Sequence, residues 1–417
     1  MITVPIPIPT GLLDEIEVEN LVVQAEKDHI VAYFDFDKIL FPHRQETSLF
    51  FDQIKCPPVT PSESLSFSGW VGFWGYEFLA SNLGVELHAV KDLNLPDGWF
   101  GRPRSLIRFF PDHTIIESLS SAREQELKSA LGSPKLPSTE ITSDASRHPI
   151  ACNLDFGRYK EIFSQAREAI LDGETYQIKI SQRFEDHTQI SPLHAFLELR
   201  KSNPAPEAFL LQTPDFAIIS CSPEVVIEKK GSQITTRPIG GTYQRDHATQ
   251  DGSVIECFLR DSKEVAEHNM LVDLERNDLS TICLPGTVQI DRFREVESYS
   301  HLHHLVSTIS GTLQPHKSLQ DIIRAMLPGG SITGCPKIRT MEWIDRLEPC
   351  FRGPYTGSFG TIEDGGNIRL NLIIRSMIRL QGKAYVQAGG GIVVESTPEY
   401  EFNENQIKAQ ALLDLLQ

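Results

Sequence analysis

Residues 358–393 read SFGTIEDGGNIRLNLIIRSMIRLQGKAYVQAGGGIV. Three β-like runs follow one another here: SFGTIE, IRLNLIIRSMIRL and KAYVQAGGGIV. Strands that run in meanders, with helices outside the run, predict an α+β fold with antiparallel sheets rather than a Rossmann fold. The segments around this stretch agree. Upstream, DIIRAML and IRTMEWIDRLEP read as helices on either side of a glycine-rich turn, PGGSITGCPK. Downstream, EYEFNENQIKAQALLDLL reads as a closing helix.

Further out, DFGRYKEIFSQAREAILDG has helical spacing and ends at Gly173, a C-cap. ETYQIKISQRFE is a strand, and FAIISCSPEVVIEKKGSQITTRPIGGT reads as strand, turn, strand, strand. SVIECFLRDSKEVAEHNMLVDLERNDL reads as one long helix. Residues 1–120 alternate short β-like runs (IVAYFDFD, GWVGFWGYEF, SLIRFF) with turns. Residues 121–152 are polar: the first half fits one amphipathic helix, and the second half, rich in Ser, Pro and Thr, reads as a loop or linker. Residues 153–417 form the denser remaining region. No internal repeat is visible, and neither a GxGxxG nor a GxxxxGK[ST] loop occurs, so nucleotide binding has no support.

The chain has 417 residues, 40% of them apolar, enough for a sizeable core. Its net charge is −17 without a basic block, which argues against nucleic acid and against an anionic membrane as partners. No apolar run approaches the roughly 18 residues that span a bilayer. The N-terminus, MITVPIPIPTGLLDEIEVEN, lacks the basic start and apolar stretch of a secretory signal. Seven scattered cysteines without a CxxC pair read as reduced thiols of a cytoplasmic protein.

Two acidic pairs stand out. Glu264 and Glu267 are three apart in SKEVAEH, and Glu401 and Glu404 are three apart in EYEFNE. That spacing puts both carboxylates of a pair on one helical face. Each pair is either a solvated acidic face or half of a site for a hard cation such as Mg²⁺, which takes carboxylates, waters and substrate oxygens. The pieces PIGGT, PGGSITG and AGGGI are either turns or places where backbone N–H groups meet a carboxylate. His304, in HLHHLVS, reads by itself as a core histidine, and Lys408 as a surface charge. Arg375 sits in the apolar run LNLIIRSMI, where a cation calls for a carboxylate partner or a ligand.

TRPIGGT, EVAEHNMLVDLERNDL, HHLVSTISG, PGGSITGCPKIRTMEWIDRLEP, RGPYTGSFG and AGGGIVVESTPEYEFNE occur in this order. Together they resemble the catalytic domain of the chorismate-utilising enzymes: the anthranilate, aminodeoxychorismate, isochorismate and salicylate synthases. The resemblance covers residues 153–417 and, more loosely, SFSGWVGFWGYEF in the first 120 residues. It implies two large antiparallel sheets packed face to face, helices outside, and a site between them. It also implies roles. Glu264, Glu267, Glu401 and Glu404 match the Mg²⁺-binding acids that tie down the ring carboxylate of chorismate. Tyr355, Arg375 and Gly389 to Gly391 match the pyruvyl carboxylate site. Gly241, Thr242 and Lys408 match the surroundings of the ring carboxylate. Glu224, in SPE, matches the acid that protonates the departing 4-hydroxyl, and His304 matches the histidine beside that leaving group.

The nucleophile is read from TYQIKISQR. Water-using members carry a lysine base where this chain has Gln177, and glutamine is no base. Lys179, about 6.5 Å along the same strand face, is the alternative base. Ammonia-using members resemble the chain here. Among these, PGGSITG, NPAP (203–206) and the polar residue after YQI lean toward aminodeoxychorismate synthases. Gly240 disagrees, because those enzymes commonly carry a ring-bonding lysine in PIKGT, and it leans toward anthranilate synthases. The resemblance implies ammonia from a separate glutamine amidotransferase subunit, since no GxCxG-type segment is present. A non-catalytic chorismate-binding relative is expected to lack some of the acids, and all are present.

Overall fold

The computed structural model describes residues 18–26, 28–54, 65–131, 150–244, 251–298 and 302–416. Its strands join into one hydrogen-bonded network in which every ladder is antiparallel. The path starts at Gln177–His187 and runs through Lys383–Ile392, Ser376–Leu380, Phe216–Ser222, Glu207–Gln212 and Leu21–Ala25. It continues through Ile30–Leu40, Gly98–Phe109, Gly69–Trp74, Ser358–Glu363, Ile368–Leu372 and Val225–Lys230. Gln233–Thr236, Leu302–Thr312 and Gln289–Ser298 complete it.

The ribbon folds over into two facing layers, and the period-two alternation of side chains shows how. Val22, Ile218, Phe73 and Phe359 point into a core built from strand and loop residues, without helix residues. Their neighbours Val23 and Ile219 face outward, against Phe196, Leu199, Ala409 and Leu412 of helices Pro192–Ser202 and Pro398–Leu413. On the other layer Trp70, Trp74 and Ile362 face Phe78, Val272, Leu279 and Ile323, which belong to helices on that side. Phe209 of one layer stacks on Phe359 of the other at 3.7 Å between ring centroids. The expected arrangement, antiparallel sheets face to face with helices outside, is the one observed.

Several local readings change. The segment read as one long helix is two, Asp251–Arg260 and Ser262–Ser280. Asp261 separates them, and its Oδ1 accepts the Glu264 N–H at 3.3 Å, an N-cap contact that starts the second helix. The turn PGGSITGCPK holds a short helix, Gly330–Thr333, and two strand residues paired to Gln177 and Ile178. GYEF is not strand: a helix starts at Tyr76. IRLNLIIRSMIRL breaks into Ile368–Leu372 and Ser376–Leu380. Other readings hold. Helix Phe156–Leu171 is capped by Asp155 and followed by Gly173 at φ +78°. Ser121–Leu131 is helical, whereas the linker reading for 132–149 and the N-terminal 1–17 lie outside the described residues. No described helix is long and apolar enough to cross a membrane, and the described cysteines are all unpaired thiols.

Because the Phe209–Phe359 stack spans the two layers, Phe359→Ala is expected to cost about 3–5 kcal/mol of stability. Denaturant unfolding of the variant against the parent measures this.

Candidate active site

The break inside IRLNLIIRSMIRL is where the chain changes layer. Ile368–Leu372 pairs with Ser358–Glu363 and Val225–Lys230, whereas Ser376–Leu380 pairs with Phe216–Ser222 and Lys383–Ile392. The Phe216–Ser222 and Val225–Lys230 strands change layer in the same place. Arg375 and Glu224 occupy these two crossings. The Leu372 N–H donates to the Glu224 carbonyl at 3.1 Å, the Cys221 N–H to the Arg375 carbonyl at 3.1 Å, and Ser220 Oγ to the Ile374 carbonyl at 2.9 Å. Arg375 takes φ +50°, which a residue inside a strand does not.

The Glu224 carboxyl is buried and accepts Ser331 Oγ at 2.8 Å. Burial pushes its pKa up to about 7, and the Ser331 hydrogen bond and the Lys179 and Arg375 cations hold it back from rising further. In sequence Ser331 is only a member of the glycine-rich turn PGGSITG. It reaches Glu224 because Gly330 lets the short helix sit on Leu274, whose Cδ2 lies 2.0 Å from where a Cβ would be. His304 is buried and pushed down to about 4, first by burial and then by Arg375. It is therefore neutral near pH 7. Its Nδ1 donates to the Gly241 carbonyl at 3.3 Å, and its Nε2 faces Arg375 Nη2 at 3.5 Å.

The four carboxylates come in two groups, each lying over a glycine. Glu264 Oε2 is 2.6 Å from the point where Gly241, at φ +66°, would carry a Cβ. Glu401 Oε2 and Glu404 Oε2 lie 2.6 and 3.1 Å from the same point on Gly390. Ser396 Oγ donates to Glu401 at 2.8 Å, and Lys408 Nζ donates to Glu404 at 2.8 Å and to the Gly389 carbonyl at 3.4 Å. Gln177 belongs with the first group: its Nε2 donates to Glu267 Oε1 at 3.4 Å and lies 2.3 Å from the Cβ point of Gly391. Tyr355 OH lies 3.0 Å from that of Gly389. Three successive glycines thus have polar side chains over them, and a side chain at any of the three meets at least one of those groups. Thr242 pairs opposite His304 on strand Ile239–Gln244, its side chain outside the described part.

Among the described residues, no three His, Cys, Asp or Glu side chains stand close enough to hold an ion by themselves. Two half-sites of hard oxygen donors over bare backbone nevertheless fit Mg²⁺, which keeps waters and takes substrate oxygens. Lys179 points into the same field. Burial lowers its amine below the usual lysine range, Lys408 adds to this, and Glu267, Glu404 and Glu224 oppose it. Arg352, which the sequence reading missed, holds this wall from behind. Its guanidinium donates to the Lys179 carbonyl at 2.8 Å and to Glu348, and it lies over the Tyr355 ring.

The family model for chorismate binding enzymes matches residues 17–414. A Bacillus subtilis protein named aminodeoxychorismate synthase component 1 is 34% identical over 403 residues, covering 93% of this chain and 85% of the relative. A Mycobacterium tuberculosis protein named anthranilate synthase component 1 is 35% identical over 381 residues, covering 84% and 72%. The crystal structure of anthranilate synthase component I from Streptococcus pneumoniae superposes with a TM-score of 0.77 at 27% identity, covering 99% of this chain and 98% of the other.

Gly240 is closed to larger residues. A Cβ there falls 2.6 Å from His268 Nδ1 and 3.1 Å from the His268 Cα, which is backbone and cannot swing away. Gly240→Lys is therefore expected to lower stability by about 1–3 kcal/mol through overpacking, read as a lower denaturation midpoint.

Proposed function

The chain belongs to the chorismate binding enzymes, and from that premise we propose that it aminates chorismate to 4-amino-4-deoxychorismate with ammonia from a separate glutamine amidotransferase subunit. Gln177 is the observation that carries amination. It is buried and neutral, and its Oε1 has no hydrogen-bond partner among the described residues. A base for water is missing there, while an acceptor for an ammonia N–H is present. The scattered, unpaired cysteines support the reducing cytoplasm as its compartment.

In this reading Mg²⁺, when bound, supplies the charge that offsets the four carboxylates and binds the ring carboxylate. The protein does the rest. Arg375, Tyr355 and the N–H groups of Gly389 to Gly391 hold the pyruvyl carboxylate. Gly241, Thr242 and Lys408 surround the ring carboxylate. Glu224 donates its proton to the 4-hydroxyl as the C–O bond breaks, and neutral His304 accepts a hydrogen bond beside the departing water.

The second reading is anthranilate synthase component I. Gly240 favours it, because the space beside His268 has no room for a ring-bonding lysine. Relatives under both names match most of the chain. For the amination at C4, either ammonia adds at C2 and is followed by a second displacement at C4, or Lys179 takes the part of the missing lysine.

Incubation of the purified chain with chorismate, Mg²⁺ and ammonium decides the branch. 4-Amino-4-deoxychorismate with pyruvate retained is expected; released anthranilate and pyruvate sink the C4 assignment. EDTA is expected to abolish turnover and added Mg²⁺ to restore it. Lys179→Ala leaves activity largely intact if ammonia adds directly and abolishes it if Lys179 bonds to the ring.

The acid makes a pH prediction. Glu224 must be protonated to act, so kcat/KM is expected to fall as pH rises through about 7. Ser331→Ala removes a hydrogen bond that favours the carboxylate, so the falling limb moves to higher pH. Glu224→Gln should lose ~10²–10⁴-fold in rate while still binding chorismate. A parental rate in Glu224→Gln would make Glu224 a structural residue of the SPE turn.

A further inference from the structure

The helix Ser262–Ser280 carries more titratable groups on its inner face than the chemistry above uses. Glu264, His268, Leu271, Glu275 and Asp278 recur at helical spacing on one side. Glu267 belongs to the acidic half-site, and Glu275 lies eight residues further, about 12 Å along the axis. Glu275 is 3% exposed, so its carboxyl is buried without having a place in substrate binding.

Two bracketing contacts put Glu275 behind Glu224. Thr236 Oγ1 donates to Glu275 Oε2 at 3.1 Å, and the next residue, Arg237, donates its N–H to the carbonyl of Val225, which follows Glu224. On the other side Leu274, which precedes Glu275, packs against Gly330, and the next residue, Ser331, holds the Glu224 carboxyl. Two buried carboxyls thus share one small region. Burial raises Glu275 well above the usual carboxylate range, Asp278 and Glu224 push it further up, and Lys337 and Thr236 pull it down. Lys179 and Arg375 are the cations that face Glu224 from the substrate side.

One turn beyond Glu275 stands a third acid, Asp278, buried except for a small part of its surface. Asp278 is 9% exposed, and it pairs with Lys337 Nζ at 2.7 Å, which also donates to the Ala325 carbonyl at 2.9 Å. Glu275 thus has Glu224 on one side and Asp278 on the other, and Asp278 is the most exposed of the three.

We propose that Glu275 is a proton store for the reaction, returning to Glu224 the proton that Glu224 gives to the leaving hydroxyl. The inference rests on the reading of Glu224 as the general acid. The balance is simple. One C–N bond forms, one C–O bond breaks, and the Glu224 proton departs in water. The new ammonium nitrogen sheds its surplus proton to solvent. Glu275 passes its proton to the Glu224 carboxylate and is refilled from solvent by way of Asp278. Glu275 touches no substrate, so it is a positioning and proton-supply residue.

The test separates loading from chemistry. Glu275→Gln keeps the shape and the Thr236 contact but carries no exchangeable carboxyl proton. At pH 6, below the Glu224 value of about 7, the acid starts loaded. With enzyme in excess over chorismate, the first turnover of Glu275→Gln is expected to match the parent within about twofold. Steady-state kcat is expected to fall about tenfold or more, a loss of about 1.4 kcal/mol or more at the barrier. Unchanged kcat, or a first turnover slowed as much as kcat, overturns the proposal. If Glu275→Gln does not fold, Asp278→Asn carries the same comparison with the same two outcomes. A parental rate in Glu224→Gln would instead refute the acid itself, so the two failures are told apart.

Discussion

Two segments of chain cross from one sheet layer to the other side by side, and the site is organised around that crossing. A strand that changes layer must leave its ladder, and its freed backbone groups need partners. Here each crossing supplies the other's partners: Glu224 and Arg375 accept from Leu372 and Cys221, and Ser220 donates to Ile374. The residues at the crossings are therefore held firmly and stand where the two layers meet. A buried acid and a cation at φ +50° are costly in such a place. A function that needs both at one spot accounts for their presence.

That placement sets the electrostatics. Glu224 is removed from water, so its proton is retained near neutral pH, while the Lys179 and Arg375 cations keep it from being locked neutral. His304 is driven the other way by the same burial and the same arginine. One environment thus makes a carboxylic acid that can donate and a neutral imidazole whose Nδ1 donates to the Gly241 carbonyl and whose Nε2 is left to accept. The glycines at 389 to 391 do the complementary task. Without side chains they let Tyr355, Glu401, Glu404 and Gln177 lie directly over the strand, so polar groups from separate elements meet across bare backbone.

Much of this was legible in sequence because the signals were local. The acidic pairs show as a spacing of three, and the meander shows as successive apolar runs. The Asp261 break had a signal as well: an aspartate followed three residues later by Glu264 is a helix start. The unbroken helical pattern around it masks that signal. The break at Arg375 left no such trace, since LNLIIRSMI is continuous in hydrophobicity and only the change of pairing partners ends the strand. Ser331, Arg352 and Glu275 were hidden for a related reason. Each acts through a residue far away in sequence, and nothing local distinguishes a serine under an acid from a serine in a turn.

Gly240 shows how far a single position can be read by each route. In sequence it is one small residue where relatives differ, and it argues against a lysine-bonded ring. In space it is the point where strand Ile239–Gln244 rests on the helix that carries Glu264 and Glu267, with His268 filling the gap and holding Ser307 at 2.7 Å. The glycine therefore sets the distance between the acidic half-site and the strand that bears Gly241. A side chain large enough to reach a substrate from this position would push the helix outward and carry Glu264 away from Gly241. The absence of a lysine at 240 and the close seating of the acidic pair are thus one packing arrangement.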